Sequence, residues 1–194
     1  MKITWYGQAS FCIESADGVK IVTDPYNPET AGFKPFSEPA DIVIKSSSND
    51  SFHDNDHLVP KKDGAEVIDA LPVALDTGSV TSHEITFKAI EAMEDLDHPY
   101  HDPDQNAMYR FIVDGIQIGH MGDMGNKFSD EQIAFFEGVE ILLSHAGGKP
   151  VIPLEELNRI VDRVNPKLVI PMHFRTLCYK PCDMQFISSF IELF

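Results

Sequence analysis

Two residues with metal-binding chemistry stand directly after predicted strands. Asp123 ends the segment GHMGD, and His173 ends the segment IPMH. Because ligands gather at the carboxyl ends of the strands in open α/β sheets, we expect both side chains at one edge of a sheet. A carboxylate and an imidazole that converge there suit a divalent metal such as zinc, which takes oxygen and nitrogen ligands. Asp123 and His173 are therefore the first candidate metal ligands.

A loop with many ligand-type side chains follows the predicted strand at residues 40–44. It begins with three serines at residues 46–48 and ends with the sequence HDNDH at residues 53–57. Because the loop contains so many side chains of the types that bind metals, His53 and Asp54 are further candidate ligands. The alternative is a purely structural loop, because Asp, Asn and Ser also cap helices and satisfy turns.

A second polar loop runs from residue 94 to residue 104 and contains both Glu94 and His101. Either residue could supply one more ligand, Glu94 through oxygen or His101 through nitrogen. Four aspartates and another histidine crowd the same segment. It is therefore either a rebuilt part of a metal site or a solvated acidic loop.

Together with the opening segment MKITWYGQASF and the sequence VTDP at residues 22–25, these motifs resemble the metallo-β-lactamase superfamily. The chain is most similar to its branch of small metal-dependent hydrolases related to L-ascorbate-6-phosphate lactonase. The resemblance covers nearly the whole chain in the right order. It implies an αββα four-layer sandwich of the α/β class, formed by one domain at residues 1–194. It also implies that Asp123 bridges two metals, that His173 completes the second site and that His120 supports them. The superfamily's third histidine falls either on His101, which matches by identity, or on Glu94, which matches better by distance from the preceding strand.

The ligand motif H-x-H-x-D-H of that superfamily does not appear in this sequence. Two alignments of the motif with the serine-rich loop are open. Without a gap, its ligand positions fall on Ser47, Asn49, Ser51 and Phe52. With a two-residue insertion, they fall on Asn49, Ser51, His53 and Asp54. The second alignment keeps a histidine and an aspartate, and we prefer it.

Three other positions depart from the superfamily pattern. Gln8 stands where a histidine is usual, and Asn126 replaces a histidine after the turn at Asp123. His145 stands where a proline is usual, so it is either a compensating ligand or a histidine satisfied within its loop.

The resemblance implies metal-assisted hydrolysis, in which Asp123 is the catalytic residue that positions the attacking water. One or two zinc ions are expected from the superfamily, and the altered motif predicts one or none here. The expected substrate is a small molecule of the lactone, phosphoester or amide class. The alternative is a non-catalytic descendant that serves as a binding or interaction module.

Composition excludes some partners. The formal net charge of −16 argues against binding to a nucleic-acid backbone, which requires clustered basic residues. No apolar stretch approaches the length of a membrane span, and the first residues alternate like a strand rather than a signal peptide, so we expect a cytoplasmic protein.

Cys12 is predicted to be a reduced core residue, whereas Cys178 and Cys182 could pair or be buried thiols.

The hydrophobic pattern changes its period along the chain. A period of two predicts strands at residues 3–6, 10–14, 19–23, 40–44, 80–90, 108–113 and 116–121. Later segments predict strands at residues 139–143 and 167–170. Helices are predicted at residues 129–136, where a capping box begins, at a segment that starts at residue 153, and at residues 184–193. Alternation of strands and helices predicts parallel strands in the second half.

Overall fold

The computed structural model describes residues 1–49, 51–94, 105–146, 152–180 and 184–193. Within these ranges the strands form two sheets. The first sheet contains, in spatial order, β1 (Lys2–Gly7), β2 (Ser10–Glu14), β3 (Lys20–Thr23), β4 (Ala40–Lys45) and β5 (Lys61–Asp69). The second contains, also in spatial order, β6 (Ser79–Ser82), β7 (Ile85–Met93), β8 (Gln105–Val113), β9 (Ile116–His120), β10 (Ile141–His145) and β11 (Leu168–Met172). The predicted α/β class is confirmed.

The first sheet changes from antiparallel to parallel pairing. Strands β1, β2 and β3 pair antiparallel, whereas β3, β4 and β5 pair parallel. Thr23 at the end of β3 pairs with Ile44 near the end of β4. As a result, Asp24 and the loop that carries His53 leave the sheet at the same edge.

The second sheet also changes from antiparallel to parallel pairing. Strands β6 to β9 pair antiparallel, and β9, β10 and β11 pair parallel. The buried apolar residues of both sheets form one hydrophobic core, so the two polar edges are held in a fixed relation to each other.

Five α-helices and one short 3₁₀ helix (Asp56–Leu58) lie in the described ranges. The α-helices are α1 (Pro28–Ala31), α2 (Ala70–Leu75), α3 (Asp130–Phe135), α4 (Leu154–Val164) and α5 (Ile187–Ile191). The predicted capping box is confirmed, since Ser129 accepts from the backbone of Gln132 and the Gln132 side chain accepts from the backbone of Ser129. Helix α4 buries Leu157 and Ile160, as its apolar stripe predicts. None of the described helices is long and apolar enough to cross a membrane.

One predicted strand is wrong. Residues 80–90 form the end of β6 and most of β7, with a tight turn at His83 and Glu84 between them. Both turn residues have positive φ, 48° and 63°. Such turns usually contain Asn or Gly, so the sequence gives no signal for this one. The pattern also misses β5, whose residues are mostly exposed and charged, and the short helix α2.

The cysteines occupy different environments. Cys12 is buried in β2, as predicted. Cys178 is exposed, so the expectation that it is a buried thiol is wrong. Cys182 lies outside the described residues.

Candidate metal centre

Three parallel strands of the second sheet end in residues with metal-binding or hydrogen-bonding chemistry. Asp123 follows the end of β9, His145 is the last residue of β10, and His173 directly follows β11. Leu143 pairs with His120 and His145 pairs with Met172, so the three strand ends lie side by side. The expectation that Asp123 and His173 share a sheet edge is confirmed.

The structure brings His53, Asp123 and His173 together in one buried cluster. Nε2 of His173 lies 3.2 Å from Oδ1 of Asp123, and Nε2 of His53 lies 3.0 Å from Oδ2 of the same carboxylate. One ligand atom from each residue lies within 4.8 Å of the others. Since His53 belongs to the loop after β4, the cluster joins the two sheets.

Asp24 supports the cluster from the first sheet. Its Oδ2 lies 3.5 Å from Nδ1 of His53, on the opposite side of the ring from Asp123. Asp24 is itself held by Ser46, whose backbone N–H donates to Oδ1 at 2.5 Å and whose hydroxyl donates to Oδ2 at 3.0 Å. A carboxylate behind a histidine fixes the ring orientation, as second carboxylates do in many metal sites.

Backbone conformations at the cluster are unusual. Gln8, Asp24 and His173 all have positive φ, at 52°, 35° and 57°. Each such conformation costs roughly 1–3 kcal/mol in a residue other than glycine and concentrates at functional sites. The conformation of His173 is held in part by its backbone N–H, which donates to the carbonyl of Gln8 at 3.1 Å.

His120 is a supporting residue with both ring nitrogens engaged. Its Nε2 lies 2.9 Å from the carbonyl oxygen of Ala9, and its Nδ1 accepts from the backbone N–H of Gly122 at 3.0 Å. These two bonds require the neutral ring with the proton on Nε2. Burial lowers the pKa of His120, against the opposing effect of Asp24. The predicted supporting role fits this geometry.

His145 contacts the cluster directly. Its ring packs edge-on against His173, with 4.9 Å between the ring centres. Its Nε2 accepts from the backbone N–H of Met124 at 2.9 Å, so the proton of the neutral ring is on Nδ1. Burial lowers its pKa well below the usual value, and His173 adds to this effect. His145 is therefore a neutral ring that fixes the turn after Asp123.

The charge of Asp123 is set by its surroundings. Burial raises the pKa of a carboxyl group, but the rings of His53 and His173 lower it more, and the pKa of Asp123 lies well below its usual range. The cluster therefore presents an ionised carboxylate between two imidazoles.

The sequence from residue 2 to residue 173 matches the family model of the beta-lactamase superfamily domain. The chain belongs to this superfamily. A UPF0173 protein of Pyrococcus abyssi is 28% identical over 185 residues, which cover 91% of this chain and 84% of the relative. A UPF0173 metal-dependent hydrolase of Carboxydothermus hydrogenoformans is 26% identical over 195 residues, with 91% and 85% coverage.

A solved structure agrees with this superfamily assignment. The chain is similar to a candidate zinc-dependent hydrolase of the metallo-β-lactamase superfamily from Thermotoga maritima, with 30% identity and a TM-score of 0.75. The similarity covers 99% of this chain and 84% of that one. Superfamily and fold are thus as predicted, while the finer likeness to L-ascorbate-6-phosphate lactonase stays a prediction.

The other predicted ligands lie elsewhere. Asp54 forms an ion pair with Lys45, away from the triad of His53, Asp123 and His173. Glu94 follows β7 and is not part of that triad either. The backbone next to Glu94 does contact the turn that carries Asp123, because the carbonyl of Met93 accepts a hydrogen bond from the backbone N–H of Gly125 at 3.0 Å. His101 lies outside the described residues.

The serines of the loop bind partners both inside and outside the loop. Ser47 donates a hydrogen bond to the side chain of Asn49, and Ser46 is bound to Asp24. Both alignments of the lost superfamily motif contain Asn49, but only the one with an insertion contains His53. The position of His53 beside Asp123 favours that alignment.

The donor set fits a metal. Two imidazole nitrogens and one carboxylate are a set that catalytic zinc uses, with a fourth position left for water. Oδ1 of Asp123 is buried and accepts no hydrogen bond from the described residues, although His173 is 3.2 Å away. A buried carboxylate oxygen without a donor is costly, and a cation would satisfy it.

Proposed function

We propose that this protein is a metal-dependent hydrolase that holds one zinc ion with His53, Asp123 and His173. The observation that carries the proposal is the buried triad itself, whose ligand atoms lie within 4.8 Å of one another. Membership of a superfamily whose relatives are named metal-dependent hydrolases supports it. Glu94 and His101 stay candidates for a further ligand.

Zinc is the proposed ion because of the ligand chemistry. Two histidines and a carboxylate favour zinc over magnesium or calcium, which prefer oxygen ligands alone. When bound, zinc supplies Lewis acidity that makes water a nucleophile at neutral pH and polarises the oxygen of the bond to be cleaved.

The residues of this chain have separate roles in the proposed site. Asp123 is the proposed catalytic residue, because its carboxylate faces the shared space of the cluster and can orient a water. Asp24 holds the ring of His53 from behind. The burial of all three ligands keeps bulk water away and strengthens their interaction with a charged group.

The proposed substrate is a small molecule of the lactone, phosphoester or amide class. The test uses protein purified without chelators, analysed for zinc and then assayed on a panel of lactones, phosphomonoesters and amides. Zinc-dependent turnover that disappears in Asp123→Asn supports the proposal. Turnover that is unchanged in Asp123→Asn, or that survives complete removal of metal, refutes it.

A non-catalytic binding role is the second candidate, and one observation favours it. The ring of His53 lies between the carboxylates of Asp24 and Asp123, an arrangement that balances charge when the ring is protonated and no metal is bound. A protein that takes up no metal from zinc-containing medium would support this role.

A cytoplasmic location, a single domain over the whole chain and the absence of a nucleic-acid partner also stay predictions. Cell fractionation, limited proteolysis and a nucleic-acid retention assay test them.

A further inference from the structure

A cavity of about 710 Å³ with aromatic walls is lined by residues of β1, of the segment from residue 26 to residue 37 and of the segment that follows His173. The rings of Trp5, Tyr6, Tyr26, Phe33 and Phe36 contribute to its lining. They pack on one another, with 4.7 Å between the ring centres of Tyr26 and Phe36 and 5.8 Å between those of Trp5 and Phe33. The volume is in the range of cavities that bind small molecules.

The polar atoms of these walls are engaged within the protein. The hydroxyl of Tyr26 lies 2.7 Å from the carbonyl oxygen of Lys34, and the indole N–H of Trp5 donates to the carbonyl of Gln8 at 3.0 Å. Burial raises the pKa of Tyr26 to about 12, so this hydroxyl stays neutral. Trp5 and Tyr26 therefore offer mainly ring surface to the cavity, while hydrogen-bonding groups come from Lys34, Ser37 and Thr176.

One carbonyl connects the cavity with the metal centre. The oxygen of Gln8 accepts both from Trp5 in the cavity wall and from the backbone of His173 in the centre. Phe174, which follows His173, stacks on the ring of Trp5 at 4.9 Å. Phe174 does not itself line the cavity, but its contact with Trp5 connects the cavity wall to the segment that carries a proposed metal ligand.

The charge of the lining limits the ligand. Lys34 is the one charged residue among the described residues that line this cavity. Ring faces attract cations as well as aromatic groups, but Lys34 would repel a cationic ligand and would attract an anionic one.

We propose that this aromatic cavity binds an uncharged or anionic aromatic group of the substrate and thereby presents the adjacent bond to the metal centre. The inference names the substrate class and rests, for its catalytic part, on the proposed hydrolase function. Binding of the aromatic group itself does not require the metal.

The binding test uses the single tryptophan of the chain as a reporter. Trp5 lies in the cavity wall, so the neutral fluorescent probe N-phenyl-1-naphthylamine should quench its emission by energy transfer. We expect saturable quenching that is the same with and without chelator. Absence of saturable binding overturns the proposal.

A matched pair of variants locates the probe. Ser37→Phe places a ring at the exposed rim of the cavity, and we expect it to weaken probe binding about tenfold. Ile112→Phe adds a ring to an exposed residue of β8 that lines a different cavity, and should leave probe binding unchanged. The reverse pattern, or equal binding in all three proteins, overturns the proposal.

An assay of hydrolysis tests the aromatic cavity and the hydrolase function separately. With zinc-loaded protein, γ-phenyl-γ-butyrolactone should have a KM about tenfold lower than γ-butyrolactone, and Ser37→Phe should remove that difference. Equal KM values for the two lactones in the unaltered protein would contradict the proposal. Failure to hydrolyse either lactone, with probe binding intact, would count against a lactone substrate and not against the aromatic cavity. If the phosphomonoesters and amides of the panel are not hydrolysed either, the hydrolase function is refuted while the cavity proposal stands.

Discussion

Nε2 of His53 lies 3.0 Å from Oδ2 of Asp123. This contact joins the serine-rich loop after β4 to the turn after β9. His53 therefore links the two sheets and lies beside both Asp123 and His173. The contact supports a rebuilt site in which one metal is held by residues from both sheets.

The first prediction concerns metal content. Protein purified without chelators should contain about one equivalent of zinc per chain, because three ligands suffice for one catalytic ion and not for two. His173→Ala and His53→Ala should each lose the ion, since two remaining ligands bind weakly. Elemental analysis of the purified variants measures this. Two equivalents that persist in His173→Ala would contradict the single-ion site.

Asp54→Ala is the matched variant within the same loop. Asp54 pairs with Lys45 rather than with the triad, so its removal should leave the zinc content unchanged. Loss of zinc in Asp54→Ala would show that the sequence-based prediction of Asp54 as a ligand is right.

The second prediction concerns pH. Burial lowers the pKa of His120 below its usual value of 6.5, so the folded protein binds a proton there less readily than the unfolded chain. The stability that His120 contributes is present above pH 6.5 and is lost as pH falls towards the lower pKa of the folded state. The free energy of unfolding, measured by urea titration in the presence of chelator, should therefore decrease from pH 7 to pH 5.

Nitrogen NMR of the histidine rings isolates His120 from the other acid-sensitive groups. The His120 ring should remain neutral, with its proton on Nε2, at pH values somewhat below 6.5, the usual pKa of a histidine. A His120 ring that becomes charged with the usual histidine pKa of 6.5 would refute the argument.

The third prediction concerns the turn that positions Asp123. Gly122 has φ of 62°, and a Cβ there would clash with the carbonyl oxygen of Ala107. Gly122→Ala should lower the free energy of unfolding by about 3 kcal/mol and reduce zinc binding, because the backbone must move. Thermal unfolding and elemental analysis measure the two effects.

Gly115→Ala is the control for the backbone conformation alone. Gly115 has φ of 78° with no atom within 4 Å of an added Cβ. This variant should lose only about 1–2 kcal/mol and keep its zinc. Equal effects of the two substitutions would mean that the contact with Ala107 does not matter.

The sequence predicts the part of this molecule that depends on local pattern. Alternating apolar residues give β1 and β2 nearly at their bounds, and the capping box at Ser129 gives the start of α3. The hairpin at His83 and Glu84 lacks turn residues, and the exposed strand β5 lacks an apolar face, so neither could be found in this way.

The residues of the candidate site likewise differ in whether local sequence pattern predicts their position. Asp123 and His173 follow strands with clear patterns, and they could be placed at one sheet edge before the structure was known. The pairing of Asp54 with Lys45 depends on the path of a long loop, which local pattern does not determine. The role of His145 depends on packing between neighbouring strands, since it is the ring of His173 and the backbone of Met124 that define it.

The last prediction tests that role of His145. In His145→Ala the buried N–H of Met124 loses its acceptor and a cavity opens beside His173, so the free energy of unfolding should fall by about 2–4 kcal/mol. Because the turn after Asp123 is then less fixed, zinc affinity should fall about 10- to 100-fold. His145→Gln offers an amide oxygen to the same N–H and should recover part of both losses. Competition with a zinc-binding dye, with the exposed His57→Ala as control, measures the affinity. An affinity unchanged in the folded His145→Ala protein would show that His145 only fills space.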